Sequence, residues 1–341
     1  MPPLNYTRRL ENLRDRRFDK ELNESLLTKT FSAGTLPEDL RYLAESMQPI
    51  DQKYNQKTLT AAENVMNHLK KGLDLPFGLA YKYQGSVMTS TNIKTHSDID
   101  LLTVINNYSY IQKTPVPNPY EGDPNSDIIN LRTKALNLLK GIYVDVDDKG
   151  AKSITIVNKS LKRTVDIVPS FWYNSDKYYE TNDEFYRGVH LFDFVKKHKL
   201  KADYPFAHIK NVQNRGNLTN DGFRKAVRLL KTLKADADSE VNISSFQITS
   251  LVYSMPAADV SYTPGAELTI AENVSKFITK MLDDQAFRNS IQNPNKTEYP
   301  FENSDTVPHL RSLREDLDQL IADCKSELKN ANFDRAFKNY L

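Results

Sequence analysis

Gln84-Gly85-Ser86, then eleven residues, then Asp98-Ile99-Asp100-Leu101-Leu102 reads as a strand end, a turn and a second strand carrying two acids. Residues 79–83 are short, mostly apolar and aromatic, and suit the first strand; 99–105 suit the second. Along a strand, residues i and i+2 project from one face. Asp98 and Asp100 therefore present two carboxylates side by side, while Ile99 and Leu101 go to the opposite, buried face. Two like charges held this close are costly unless a cation neutralises them. Carboxylate oxygens are hard ligands, suited to Mg²⁺ with substrate phosphates completing its shell. Gly85 lets the backbone approach a phosphate with no Cβ in the way, and Ser86 adds a hydroxyl.

A third carboxylate fits the same chemistry. Arg163-Thr164-Val165-Asp166-Ile167-Val168-Pro169 alternates like a strand, carries one acid and is expected to end at Pro169. On a neighbouring strand, Asp166 would complete a two-metal site: one ion activates an attacking hydroxyl and the other stabilises a leaving pyrophosphate. A bare Asp-x-Asp is common. Asp145 and Asp147 form another, read as a hairpin acid pair beside the turn 147–150. What points to catalysis is the combination of apolar strand, Gly-Ser, the eleven-residue interval, Asp-apolar-Asp-apolar and a later apolar-Asp-apolar strand.

Composition leaves room for such an enzyme and excludes other classes. The 341 residues allow one large domain or two ordinary ones, and 39% hydrophobic with 26% charged residues is a soluble globular composition. Lys and Arg total 46 against 44 Asp and Glu, a formal charge of +2, so no global positive field favours duplex nucleic acid. The single cysteine, Cys324, excludes an intrachain disulfide, a cysteine zinc ribbon and an iron–sulfur cluster. No apolar run follows the N-terminal charges, and the longest uncharged stretch, 241–258, is too polar for a bilayer span. Neither a signal peptide nor a membrane partner is expected, and a cytoplasmic location is the default.

Residues 1–57 read as helical and charged, with Arg8, Arg9, Arg14, Arg16 and Arg17 among acids on a solvated face with local ion pairs; a nucleic-acid patch is the alternative. Thr60 and Glu63 have the spacing of a capping box that starts a helix ending at Gly72. Residues 114–126, with four prolines, read as a surface loop, 128–139 as a helix, and 143–146 with 153–157 as a hairpin. From about residue 180 the pattern turns helical, clearest at 221–234, 245–255, 268–283 and 309–330. In the first of these, Phe223, Val227, Leu230 and Leu233 form an apolar stripe, with Arg224, Arg228 and Lys231 on an adjacent face. Such a cationic row suits a triphosphate; the alternative is a solvated basic face.

Gly85-Ser86 with Asp98-Ile99-Asp100-Leu101 and Asp166 resembles the signature of the polymerase-beta-like nucleotidyltransferase superfamily. Val227-Arg228-Leu229-Leu230-Lys231-Thr232-Leu233-Lys234 and Ile243-Ser244-Ser245-Phe246-Gln247 are similar to helical-domain motifs of the oligoadenylate synthase and cyclic GMP–AMP synthase branch, and look most like the bacterial CD-NTases of anti-phage signalling. The matching blocks span about residues 58–256. The resemblance implies an α+β fold, with a mixed nucleotidyltransferase sheet flanked by helices, a C-terminal helical domain and an active-site cleft between them. The expected division is 1–57 as an N-terminal helical segment, 58–179 as the nucleotidyltransferase core and 180–341 as the helical domain. Asp98, Asp100 and Asp166 become the catalytic acids and ligands of two Mg²⁺ ions, with Mn²⁺ as an alternative. Gln84, Gly85, Ser86, Arg228, Lys231, Ser245 and Phe246 become the nucleotide-binding set. Phe246 stands where relatives carry a base-stacking Tyr, and ordinary helix core is the competing reading. One cysteine cannot make the zinc-binding insertion of the animal enzyme, which favours the bacterial branch.

The implied activity is synthesis of a cyclic or linear oligonucleotide second messenger from nucleoside triphosphates, read by a downstream effector that need not bind this chain. Transfer to an RNA or protein acceptor is the alternative, and an inactive nucleotide-binding scaffold the alternative of another class. Among lesser candidates, His96 reads as a loop histidine or a phosphate contact. Phe171, Trp172, Tyr173, Tyr178 and Tyr179 read as interdomain packing or a base pocket, and Cys324 as core.

Overall fold

The computed structural model describes residues 3–17, 36–95, 97–112 and 120–338. In chain order its elements begin with α1 (Tyr6–Arg17), α2 (Glu38–Ser46), α3 (Gln52–Gly72), β1 (Leu79–Gln84), α4 (Ser86–Thr89) and β2 (Ile99–Ile111). Then follow α5 (Pro124–Lys140), β3 (Asp145–Asp147), β4 (Ile154–Asn158), β5 (Arg163–Asn174), α6 (Asp176–Thr181), β6 (Arg187–Asp193) and β7 (His198–Asp203). The last are α7 (Pro205–Leu218), α8 (Gly222–Asp236), α9 (Ser245–Tyr253), α10 (Glu267–Asp283), α11 (Gln285–Asn289) and α12 (Val307–Lys338). The described residues form two compact units, one within 51–92 and 96–211 and the other within 1–50, 93–95 and 212–341.

The first unit is built on a mixed sheet in the order β1-β2-β5-β4-β3, with β6 pairing both β5 and β7. The β2·β5 pair is parallel and the others antiparallel. Alternation sorts the residues of β2. Ile99 and Leu101 sink into a cluster with Ala61, Val65 and Leu69 of α3, Ala135 and Leu139 of α5, and Val165 and Ile167 of β5. Leu102 and Val104 join Val168, Trp172 and Val189 beneath Phe206 of α7. Asp100 shares the face of Leu102 and Val104, opposite the α3/α5 cluster.

Several expectations change here. The Thr60–Glu63 pair lies inside a helix, because α3 starts at Gln52, with Asp51 capping it by accepting from Lys53 N at 2.9 Å. The sheet does not stop near residue 180: β6 and β7 extend it to Asp203, so the sheet unit exceeds the expected 58–179 and the helical pattern starts later. Pro169 does not end β5. It pairs with Thr103 on one side. On the other it lies between the span facing β4, which ends at Ile167, and the span facing β6, which starts at Ser170. A missing N–H is tolerated at such a handover. Phe171 and Trp172 are buried in the sheet unit's own core, and the Trp172 indole donates to Asn106 Oδ1 at 2.9 Å. Tyr179 is exposed. Interdomain packing is thus not what buries Phe171 and Trp172. Parts of the 1–57 segment (1–2 and 18–35) and of the proline-rich loop (113–119) lie outside the described residues.

The second unit packs α8, α9, α10 and α12 around one apolar cluster that includes Phe223, Val227, Leu230, Leu233, Leu251, Ile278, Leu317 and Cys324. The N-terminal residues 3–17 and 36–50 belong to this unit and do not form a segment of their own. Its arginines are not a solvated face throughout. Arg9 is fully buried, bonds Asp316 at 2.6 Å and lies over the Tyr42 ring. Arg17 bonds Glu45 at 2.6 Å. Arg16 grips the buried Asp236 with two bonds of 2.6 and 2.7 Å, and the Tyr42 hydroxyl and Asn12 amide donate to the same carboxylate. Arg14, which is exposed, does fit a solvated face.

Removing one member of a buried pair strands the other, a loss of about 3–5 kcal/mol, whereas an exposed pair contributes about 0–1 kcal/mol. In urea unfolding, Asp236→Ala should cost about 3–5 kcal/mol, and Asp148→Ala, which breaks the exposed Lys140 pair, under about 1 kcal/mol. Equal losses for the two variants would contradict this account of the buried network.

Candidate active site

Parallel pairing of β2 with β5 sets Asp100 directly opposite Asp166. Neighbouring strands lie about 4.8 Å apart, so the two carboxylates stand side by side on one face. Asp98 precedes the strand and is exposed. Burial, followed by the charges of Asp166 and Asp98, pushes the Asp100 carboxyl up to about 6, although a hydrogen bond from Gln84 Nε2 at 3.1 Å pulls the other way. Burial and Asp98 also raise Asp166, opposed by the Thr155 hydroxyl that bonds its Oδ1. Two partly desolvated acids thus face each other at a spacing that favours an intervening cation.

The turn before them is shaped for close approach. Gly85 has φ +108°, a conformation that side-chain-bearing residues rarely adopt, and a Cβ there would lie 3.9 Å from Asp100 Oδ2. Ser86 follows as the first residue of α4. Gln84, expected at the nucleotide, donates to Asp100. Thr155, on β4, was missed by the sequence reading. Only strand register reveals it, since eleven residues separate it from Asp166.

The helical unit sorts the remaining candidates. Arg228 does not project as one of an open row: it is fully buried, bonding Asp221 at 2.5 Å and the Met47 carbonyl at 2.7 Å, and so holds α8 to the end of α2. Arg224 bonds Asp221 and the Gln213 carbonyl. Lys231 is largely buried, and desolvation, then the charges of Lys234, Lys94 and Arg228, pushes its ammonium down to about 8. A cation crowded by other cations suits an anion. Ser244 caps α9 in a capping box with Gln247, which leaves Ser245 exposed in the first turn. Phe246 is half-buried and outside the unit's apolar cluster, unlike a core phenylalanine. Cys324 is buried in that cluster, and His96 lies outside the described residues.

Residues 210–338 match the family described as the cGAS/DncV-like nucleotidyltransferase C-terminal helical domain. A cyclic dinucleotide synthase CdnE of Yersinia aleksiciae is 30% identical over 296 residues, covering 85% of this chain and 77% of the relative. A c-di-GMP synthase of a Lachnospiraceae bacterium is 31% identical over 291 residues, covering 77% of this chain and 82% of that one. The chain belongs to the CD-NTase family. It is therefore a nucleotidyltransferase. The solved structure of the STING-associated CdnE c-di-GMP synthase from Capnocytophaga granulosa superposes with a TM-score of 0.82 at 28% identity, over 95% of this chain and 100% of that one. The expected α+β architecture, with a nucleotidyltransferase sheet and a C-terminal helical domain, is thus shown.

Nucleotidyltransferases of this kind generally use divalent metals, and the residues present fit one. Among the described residues, no three acidic, histidine or cysteine side chains close into a metal cage. An open shelf of carboxylates is nonetheless what Mg²⁺ uses, since it takes one or two protein ligands and keeps the rest for water and phosphate oxygens.

The raised Asp100 carboxyl has a thermodynamic consequence. Its folded value, about 6, lies above the unfolded one, so the stability it contributes is present below about pH 4 and lost as pH rises through about 6. In metal-free protein at about pH 7.5, Asp100→Asn should therefore be the more stable form, by on the order of 1–3 kcal/mol, and should lose less stability between pH 4 and 6. Unfolding in EDTA across that range measures this. A variant less stable than wild type near neutrality would contradict it.

Proposed function

We propose that this CD-NTase joins nucleoside triphosphates, GTP in the first instance, into a cyclic dinucleotide second messenger, with Mg²⁺ held by Asp98, Asp100 and Asp166. The observation that carries the reading is the in-register Asp100–Asp166 pair on the sheet face opposite the α3/α5 core. Relatives named c-di-GMP synthases support the choice of GTP and of a cyclic product. The STING association of the Capnocytophaga relative supports anti-phage signalling, in which a nucleotide-binding effector reads the product.

In this reading an acceptor ribose hydroxyl attacks the α-phosphorus of the donor, a new P–O bond forms, and the bond to pyrophosphate breaks. A second transfer closes the ring. Asp98, Asp100 and Asp166 would hold a divalent ion, which would lower the pKa of the attacking hydroxyl and offset the charge gathering on the leaving group. Asp100 and Asp166 supply anionic oxygens from a rigid sheet, so their placement is set before substrate arrives. Gly85 leaves the space beside Asp100 open to a phosphate, and Ser86 offers a hydroxyl. Lys231 contributes a cation to the triphosphate, which raises the ammonium's pKa again on binding. Phe246 offers a ring face to a base without the hydroxyl that a Tyr would carry. Arg228 acts through Asp221 and Met47 and holds the helix that bears Lys231.

Incubating the purified chain with labelled GTP and Mg²⁺, followed by phosphatase, tests the proposal. A phosphatase-resistant dinucleotide should form. Replacing both Asp98 and Asp100 by Asn should abolish it while the protein still unfolds cooperatively. Label appearing only on added RNA or protein would move the enzyme to the transferase class. Full activity in the double variant would remove these acids from the chemistry.

A further inference from the structure

Four strands each give one polar residue to a single row across the sheet. Gln84 on β1 faces Asp100 on β2, Asp100 faces Asp166 on β5, and Asp166 faces Thr155 on β4. The acids sit in the middle and a hydrogen-bond donor stands at each end. Both donors are used on the acids: Gln84 Nε2 on Asp100 Oδ2 at 3.1 Å, and Thr155 Oγ1 on Asp166 Oδ1. Residues one step to either side, such as Leu101, Ile154, Ile156, Val165 and Ile167, point to the opposite face and are buried there.

Folding alone does not call for a hydroxyl at position 155. A β-branched apolar side chain suits a strand equally well, and the same face of β4 carries Val157 two residues on. The Thr155 hydroxyl does something a valine cannot: it fixes the rotation of the Asp166 carboxylate about its side-chain bonds. Gln84 does the same for Asp100 from the other end of the row.

We propose that Gln84 and Thr155 are a matched pair of positioning residues. Each holds one oxygen of its carboxylate, so that the remaining oxygens of Asp100 and Asp166 are presented to the divalent ion at a fixed angle. This inference rests on the reading that these acids hold the metal. Residues that orient metal ligands typically contribute tenfold to 100-fold in metal affinity or activity. Thr155 is the more informative half, because Gln84 adjoins the Gly85-Ser86 turn and its replacement would also disturb that turn.

The test is Mn²⁺ binding to the full chain without nucleotide, followed by the spin-resonance signal of the free ion, with the melting temperature of each variant recorded. Thr155→Val should weaken Mn²⁺ binding about tenfold or more at near-native melting temperature, and Thr155→Ser, which keeps the hydroxyl, should restore it. Half-saturating Mg²⁺ in turnover should rise by a similar factor, with kcat recovering at saturating Mg²⁺. Asp166→Asn should lose the ion. If Thr155→Val binds Mn²⁺ like wild type while Asp166→Asn does not, the clamp is overturned and the metal reading stands. If Asp166→Asn binds like wild type, the metal reading itself is overturned, and the clamp with it. Should Thr155→Val fail to fold, Thr155→Ala against Thr155→Ser poses the same question, because Ser keeps the hydroxyl and Ala does not.

Discussion

Everything at the candidate site follows from one pairing, the parallel alignment of β2 with β5. Parallel register makes residue i of one strand the lateral neighbour of residue j of the other, so a single choice of register sets two carboxylates beside each other. A one-residue slip would send Asp166 into the apolar cluster of α3 and α5 and bring a hydrophobic residue to the site. The register is held by that cluster, since Ile99 and Leu101 on β2 and Val165 and Ile167 on β5 are all buried in it. The arrangement carries a cost: burial, with the neighbouring carboxylates, raises the pKa of both acids, and in the proposed reading a divalent cation would relieve it.

The helical unit solves the opposite problem. Two of its buried charges are satisfied internally, Asp236 by Arg16, Tyr42 and Asn12, and Arg228 by Asp221 and the Met47 carbonyl. These bonds tie the N-terminal helices to α8. Lys231 lies on the same helix, where desolvation and neighbouring cations weaken its hold on a proton. One helix therefore carries an arginine committed to structure and, one turn on, a lysine suited to an anionic ligand.

Much of the candidate site's geometry was legible because its signals are local. The period-2 spacing of Ile99, Asp100 and Leu101 needs only the strand to be read correctly, whereas Asp98, expected on the strand beside Asp100, precedes it; Gly85 is explained by its φ of +108°. Other features depend on chain segments far apart. Arg16 and Arg9 read as solvated because their acids lie 220 and 307 residues away. The clamp residue Thr155 becomes visible only once β4 is aligned with β5. The pair β6 and β7 was overlooked because β7 is largely exposed and carries Lys199 and Lys201, the kind of residues that guard a sheet edge. Thr60 misled for a simpler reason. A capping signature has meaning only at a helix end, and Asp51 had already started the helix.

The most direct test of the account is where a metal binds. Crystals of the protein grown with Mn²⁺ and a non-hydrolysable GTP analogue would place the ion by its anomalous scattering. The account predicts a peak ligated by oxygens of both Asp100 and Asp166, with phosphate oxygens completing its shell. A Mn²⁺ ion bound to the analogue but away from these two carboxylates would contradict it.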